Sequence, residues 1–331
     1  MKKKKTDVLI VGAGVSSLGK QTRASLSAHG LKCSFIDNDR GLNERDFLKQ
    51  IKEKAAAEGV QTIIPVFNPQ LLARHRAEFP GIRIPVDSEE KLNLLDNKIS
   101  ACALAEKLGI LLPESYSTAD KVHRYPVVFK RACGHGGDSV YFPKQRRSLE
   151  NLIRSSLPGS YLITEEIDGE DVSVDALRWD DFFFAGAYRV ILPKAKGISV
   201  LRESINAPEL VETARKILDA ADYKGVCGFD FRLAAKDGKT YFLECNPRLS
   251  GGMRSQTASG FDVPWLLWRA AGGMRLEKPH FRPGVRTQYI KGTLDYLKRR
   301  RRQGRLTLRD ILQCVFSGAS AFDDFFVFRK E

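Results

Sequence analysis

The residues best able to do chemistry gather in one stretch of the C-terminal half. Gly228-Phe229-Asp230-Phe231-Arg232 and Phe242-Leu243-Glu244-Cys245-Asn246-Pro247-Arg248 flank Asp237-Gly238, a dipeptide that favours the tight turn of an antiparallel hairpin. Side chains of a strand alternate faces, so Glu244 and Asn246 share one face while Leu243 and Cys245 point to the other. Folding about the turn brings Asp230 opposite Glu244, to within one register step. Two carboxylates facing each other across strands repel. A hard divalent cation removes that penalty, and Mg²⁺ favours one or two carboxylates together with phosphate oxygens. Asp230, Glu244 and Asn246 are therefore a candidate all-oxygen Mg²⁺ site. Arg248 follows at the strand end, placed for a phosphate or a substrate carboxylate. An exposed hairpin with solvated acids is the weaker alternative, because Phe231, Leu243 and Cys245 indicate a buried opposite face.

Two further segments point to phosphate and nucleotide chemistry. Pro126-Val127-Val128-Phe129-Lys130 reads as a β-branched strand running into Arg131-Ala132-Cys133-Gly134-His135-Gly136-Gly137. Three glycines in four positions let backbone N–H groups approach phosphate oxygens, while Lys130 supplies a point charge. A plain hairpin turn would need fewer glycines. Ile163-Thr164-Glu165-Glu166-Ile167-Asp168-Gly169-Glu170-Asp171 is an extended segment with a tight acidic turn. It could offer backbone groups to an adenine edge and a carboxylate to ribose hydroxyls, although acidic surface hairpins are common.

The elements that must position these residues alternate in type. Val8–Val11, Cys33–Ile36 and 62–66 read as strands. Helical sequence lies between them and over Glu44–Glu58 and 69–78, a pattern that predicts a parallel, doubly wound sheet to about residue 90. One or two helices follow over 88–108. Antiparallel signals then take over at 127–131, 139–142, 161–167, 172–179, 226–233 and 240–246, with an amphipathic helix over 207–221. The expected organisation is a Rossmann-like domain over 1–90 and a second unit over 91–275, with a lid at about 115–165 and a C-lobe at about 166–275. A basic, mostly helical extension covers 276–331.

The order of these motifs resembles the ATP-grasp superfamily. A helix carrying Asp96-Asn97-Lys98 comes first, then the lysine–glycine loop, the acidic hinge, and the Asp230…Glu244-Cys245-Asn246-Pro247-Arg248 hairpin. The ending Asn246-Pro247-Arg248-Leu249-Ser250-Gly251-Gly252 is similar to relatives of the carbamoyl-phosphate synthetase large subunit. The resemblance covers roughly residues 5–270. It implies an α+β ATP-grasp fold behind an α/β N-terminal domain, with ATP and Mg²⁺, or Mn²⁺ in its place, as cofactors. Lys98 and Lys130 would hold the ATP phosphates, and Gly134, Gly136 and Gly137 would form a flap. Backbone at Glu165 and Ile167 would receive adenine, with Glu165, Glu166 or Asp171 at the ribose. Asp230, Glu244 and Asn246 would hold the metal, and Arg248 would steady the transferred phosphate. The family phosphorylates a carboxylate and lets an amine, or another nucleophile, displace the phosphate; positioning and charge neutralisation carry such catalysis. Arg254 is a further candidate for the substrate carboxylate, Arg189 and Arg202 for the γ-phosphate, and His135 for the flap. Small carboxylate and amine substrates are the implied partners, and a homodimer is a family-level expectation.

Composition bounds the alternatives. The chain has 331 residues, 43% hydrophobic, and a formal net charge of +14, which favours anionic ligands in general. The run Lys298-Arg299-Arg300-Arg301-Arg302 carries no interleaved aromatics, so a nucleic-acid groove is not expected and a solvated helix end is the plainer account. Six scattered cysteines without a Cys-x-x-Cys pair argue against zinc or a disulfide framework and fit a reducing cytoplasm. No apolar run is long enough to span a bilayer. Two other nucleotide motifs nearly match at the N-terminus. Gly14-Val15-Ser16-Ser17-Leu18-Gly19-Lys20-Gln21 has Gln21 where a P-loop needs Ser or Thr. Gly12-Ala13-Gly14-Val15-Ser16-Ser17 has Ser17 in place of the third glycine of a dinucleotide fingerprint, with Asp37 at the end of the second strand. An NAD(P)-dependent oxidoreductase and a non-catalytic nucleotide-binding protein are thus the competing expectations.

Overall fold

The computed structural model describes residues 5–12, 17–38, 41–134, 139–192, 199–316, 318 and 321–323. Its three sheets follow the chain in order. The first is parallel, β2-β1-β3, from β1 (Val8–Val11), β2 (Cys33–Ile36) and β3 (Thr62–Pro65). Both of its faces are covered, as a parallel sheet requires. Val8 and Ile10 pack into one cluster with Leu18, Leu26 and Leu266, whereas Leu9 and Val11 pack into another with Phe47, Leu48 and Ile51. That split is the two-residue period of a strand. The helix Glu44–Glu58 is bounded by its own chemistry. Asn43 accepts a hydrogen bond from the Asp46 amide, and Gly59 ends the helix at φ 65°, in the left-handed region that glycine enters without steric cost.

Helices Glu89–Asp96 and Lys98–Lys107 connect this domain to a small antiparallel sheet, β5-β4-β6. Its strands are β4 (Val127–Arg131), β5 (Val140–Tyr141) and β6 (Tyr161–Glu165), backed by the helix Arg146–Arg154. Phe129, Leu149 and Ile163 make its separate core.

The third sheet has seven strands in the order β11-β10-β7-β8-β9-β12-β13. They are β7 (Gly169–Trp179), β8 (Phe182–Leu192), β9 (Leu201–Ile205), β10 (Gly225–Ala234), β11 (Thr240–Asn246), β12 (Arg286–Tyr289) and β13 (Ala321–Asp323). The helix Pro208–Ala220 lays Ala214, Ile217 and Leu218 on one face, over β7 and β8, in the core that also holds Phe229, Phe231, Phe242 and Cys245. Helices Met253–Ala258 and Val263–Ala271 join the N-terminal domain to this sheet, sharing a core with Val8, Ile10 and Ile64.

Two local expectations change. The basic C-terminal segment, expected to be mostly helical, also supplies strands: β12 pairs antiparallel with β9 (Thr287 opposite Arg202) before the helix Ile290–Arg302. The face assignment of Leu243 is also corrected. The β10–β11 register shifts between Asp230 and Phe231, so Leu243 and Glu244 together span the step between Phe242 and Cys245, and it is Phe242 that enters the core. A bulge of one residue reverses the alternation on one side of it, and alternation alone does not reveal where the bulge falls.

Candidate active site

One cavity of about 670 Å³ lies between the small sheet and the seven-stranded sheet, and the three candidate segments meet on its walls. The ladder sets Asp230 directly opposite Glu244, and Gly228 opposite Asn246. Asn246 donates its amide to Asp230 Oδ2 at 3.5 Å and accepts from Arg248 Nη2 at 3.1 Å, so the three side chains form a line along the wall. The Arg248 Nε is buried with no partner, and the guanidinium lies 6.0 Å from the Phe67 ring centroid. An orphaned cationic donor of this kind is costly unless a ligand meets it.

Lys98 stands at the start of its helix, where Asn97 caps the first turn by accepting from the Ile99 amide. Only 4% exposed, Lys98 places Nζ 3.1 Å from Glu244 Oε2 and 3.2 Å from the Gly134 carbonyl. Lys130, on β4 and 8% exposed, faces the same cavity. Burial pulls its pKa below the usual lysine value, and Glu244 opposes that shift. A buried ammonium with incomplete compensation is a receptor for anionic oxygens. Gly134 also lines the cavity. Its φ of 139° and the 2.5 Å approach that a Cβ would make to Ser139 Oγ leave room only for glycine. Gly136, Gly137 and His135 lie outside the described residues, as does Gly14 of the N-terminal turn.

The hinge segment closes the other end. Glu165, Glu166, Ile167 and Asp171 all line the cavity. Glu165 accepts from the Glu114 amide at 3.1 Å, and the Oγ1 of neighbouring Thr164 is buried without a partner. Arg232 holds this segment in place, donating to the Ile167 carbonyl at 2.9 Å and to Asp171 Oδ1 at 2.7 Å. Sequence reasoning missed Arg232, although it lies two residues beyond Asp230 on the same strand face. It also missed Asp175 and Ser173, which hold the buried Arg202 at 3.4 and 2.7 Å while the Arg202 guanidinium lies 4.5 Å over the Tyr188 ring. Arg202 and Arg254 line the cavity. Arg189 is absent from its wall and pairs with Glu203 at 3.3 Å.

Among the described residues no three His, Cys, Asp or Glu side chains converge on one point. The donor set here is two carboxylates and an amide, which suits a hard cation that completes its shell with phosphate oxygens and water. It does not suit a cation caged by protein alone.

Residues 158–293 match a family model described as ATP-grasp in the biosynthetic pathway with Ter operon. The carbamoyl phosphate synthase large chain of Caldanaerobacter subterraneus subsp. tengcongensis is 20% identical over 348 residues, spanning 88% of this chain and 32% of that protein. The chain thus spans about a third of the length of this relative. Two solved structures share the fold. The biotin carboxylase domain of the Hydrogenobacter thermophilus 2-oxoglutarate carboxylase, solved with MgADP and bicarbonate, superposes with a TM-score of 0.69 at 16% identity, covering 85% of this chain and 73% of that one. An L-amino acid ligase from Bacillus licheniformis superposes with a TM-score of 0.65 at 16% identity, covering 86% and 81%. The match over residues 158–293 and these likenesses together show that the chain has an ATP-grasp fold.

Proposed function

We propose that the chain is an ATP-dependent ligase that activates a carboxylic acid by phosphorylation and passes the acyl group to an amine. The observation that carries this is the pairing of Asp230 with Glu244 on a wall that also presents Lys98 and Lys130. Two acids and two buried ammonium groups at one cavity suit a metal-bound polyphosphate. Bound Mg²⁺ would offset the repulsion of the two carboxylates and draw charge from the phosphate oxygens.

In this proposal Lys98 and Lys130 bind and orient the phosphates, and the hinge backbone from Glu165 to Ile167 takes the adenine edge. Asp171, fixed by Arg232, takes the ribose. Arg248 neutralises the phosphoryl group in flight. The substrate carboxylate oxygen attacks the terminal phosphorus, the bond to the ADP oxygen breaks, and an acyl phosphate forms. The amine nitrogen then attacks the acyl carbon, phosphate leaves and the nitrogen sheds a proton. Nothing here needs a protein nucleophile; orientation and preorganised charge suffice. The test is ADP release over a panel of acids with hydroxylamine as a general acceptor, in wild type and Glu244→Ala. Acid-dependent release that the substitution abolishes supports the proposal. Release independent of any acid, or unchanged by Glu244→Ala, refutes it.

A further inference from the structure

The cavity is electrically polarised along the sheet. Its β10–β11 end and hinge carry five acids, Glu165, Glu166, Asp171, Asp230 and Glu244, against four cations, Lys98, Lys130, Arg232 and Arg248. The cavity also reaches β9 and β12, three and four ladder steps from β10 and therefore about 14 and about 19 Å across the sheet at the usual strand spacing. There the lining residues include Arg254 and Arg299, while Arg202 of β9 reaches back to Ser173 and Asp175 of β7; the carboxylate on these two strands, Glu203, is paired with Arg189 and Arg286 at 3.3 Å. Among the described residues no hydrogen bond or ion pair holds the guanidinium of Arg254 or Arg299, and the Arg254 Nε is buried. Arg299 reaches the wall because β12 joins the sheet and turns directly into the helix Ile290–Arg302. It lies beyond the segment that matches the family model.

We propose that the acid substrate carries a second anionic group, a phosphate or a further carboxylate, and that Arg299 is the specificity-determining residue that binds it. This rests on the ligase reading above, which assigns the opposite end of the cavity to the nucleotide. The reacting carboxylate must lie near Arg248 and the metal wall. A substrate extending from there toward β12 meets two unpaired guanidinium groups and no unpaired acid. A neutral tail would leave the buried Arg254 Nε without a partner and gain no charge pairing from the exposed Arg299, whereas an anionic one forms charge-assisted bonds with both. The segment from Arg286 to Arg302 is then part of the substrate site.

Calorimetry in saturating MgADP tests this with matched probes: acetate against phosphonoacetate, and butyrate against glutarate. The dianion of at least one pair is expected to bind more tightly than its monoanion, and which pair responds separates phosphate from carboxylate. Arg299→Gln should weaken that dianion roughly tenfold or more, with Arg299→Lys recovering part of the loss and MgADP affinity unchanged in both. Equal binding within both pairs, or a dianion preference that survives Arg299→Gln, overturns the assignment. Failure of MgADP itself to bind the wild type would instead refute the nucleotide reading, and this one with it. Arg299 is solvent-exposed, so its replacement does not endanger the fold.

Discussion

Two regions of the chain carry glycine-bounded nucleotide signatures, and their surroundings differ. At the end of β1, Gly12 sits at φ 92°, and a Cβ there would lie 3.4 Å from the Phe67 backbone nitrogen and oxygen. Gly12 therefore packs closely against its own domain. Asp37, where a dinucleotide site wants a ribose acid, accepts from the Asn38 amide at 2.9 Å. Among the described residues, no cavity-lining side chain precedes Lys98. On the β10–β11 hairpin and the Lys130 strand, by contrast, buried cations and facing acids open onto about 670 Å³ of space. A glycine pattern states only a backbone requirement, which tight packing satisfies as well as a ligand does. Charges held in an unbalanced, half-buried arrangement are harder to explain without one.

The sharpest way to break this contrast is to remove charge at one region and then the other. Glu244→Ala should lower turnover by roughly 10²–10³-fold, the scale of losing a preorganised electrostatic contact, whereas Asp37→Ala should leave turnover and MgADP binding unchanged. NADH or NADPH binding that Asp37→Ala abolishes, with no MgADP binding, would reverse the two roles.

Next in size is Lys130→Met. Nucleotide at a hundredfold excess over its Kd stabilises a protein by about 2.7 kcal/mol, and this shift on thermal melting with MgADP should disappear. The unliganded variant should be no less stable than wild type. Burial lowers the Lys130 pKa, so between that value and the ordinary 10.5 the unfolded chain binds more protons than the folded one. Lys130 therefore makes unliganded stability rise with pH across this window, and the substitution should flatten the rise.

A smaller effect is expected at the N-terminal turn. Gly12→Ala forces a side chain into a left-handed backbone and should cost about 1 kcal/mol of stability, read from urea melts, without weakening MgADP. The smallest concerns His75, whose ring nitrogens contact Glu44 at 2.8 Å and Glu78 at 2.6 Å. These acids raise its pKa above 6.5, the Glu44 bond most strongly. The stability it adds is present below that value and lost as pH rises through the raised pKa. His75→Gln should remove that slope and leave nucleotide binding intact.

Much of the frame was legible because local chemistry and tertiary packing agree. The helix Glu44–Glu58 carries its own cap and its own stop, and Asp237-Gly238 sets the turn that brings Asp230 to Glu244. The helix Arg146–Arg154 and the strands β8, β9 and β12 were not legible. The strand β8, Phe182–Leu192, opens on a continuous apolar run, Phe182 to Ala187, with no alternation to announce a strand. In β12, Arg286-Thr287-Gln288-Tyr289 has no apolar alternation to announce it, since Thr287 and Gln288 are buried polar residues. Of the candidate site, the residue types along each strand were readable. The bulge at Leu243 was not, because alternation does not mark where a register shifts, and the Arg232 clamp on Asp171 and the Arg202–Asp175 pair were not, because they join strands that are not neighbours in sequence.

The sequence by itself determined which charged side chains are available to the candidate site, and their order along the chain. Strand alternation and turn chemistry act over a few residues, so they bring Asp230 to within one register step of Glu244, and the bulge at Leu243 sets the two directly opposite. Only the tertiary structure decided which charges share a cavity. Lys98 meets Glu244 across 146 residues of chain, and Arg299 enters the wall because β12 pairs with β9. Those contacts arise when sheets close and apolar faces are buried together, and no local pattern encodes where the closure places a distant cation.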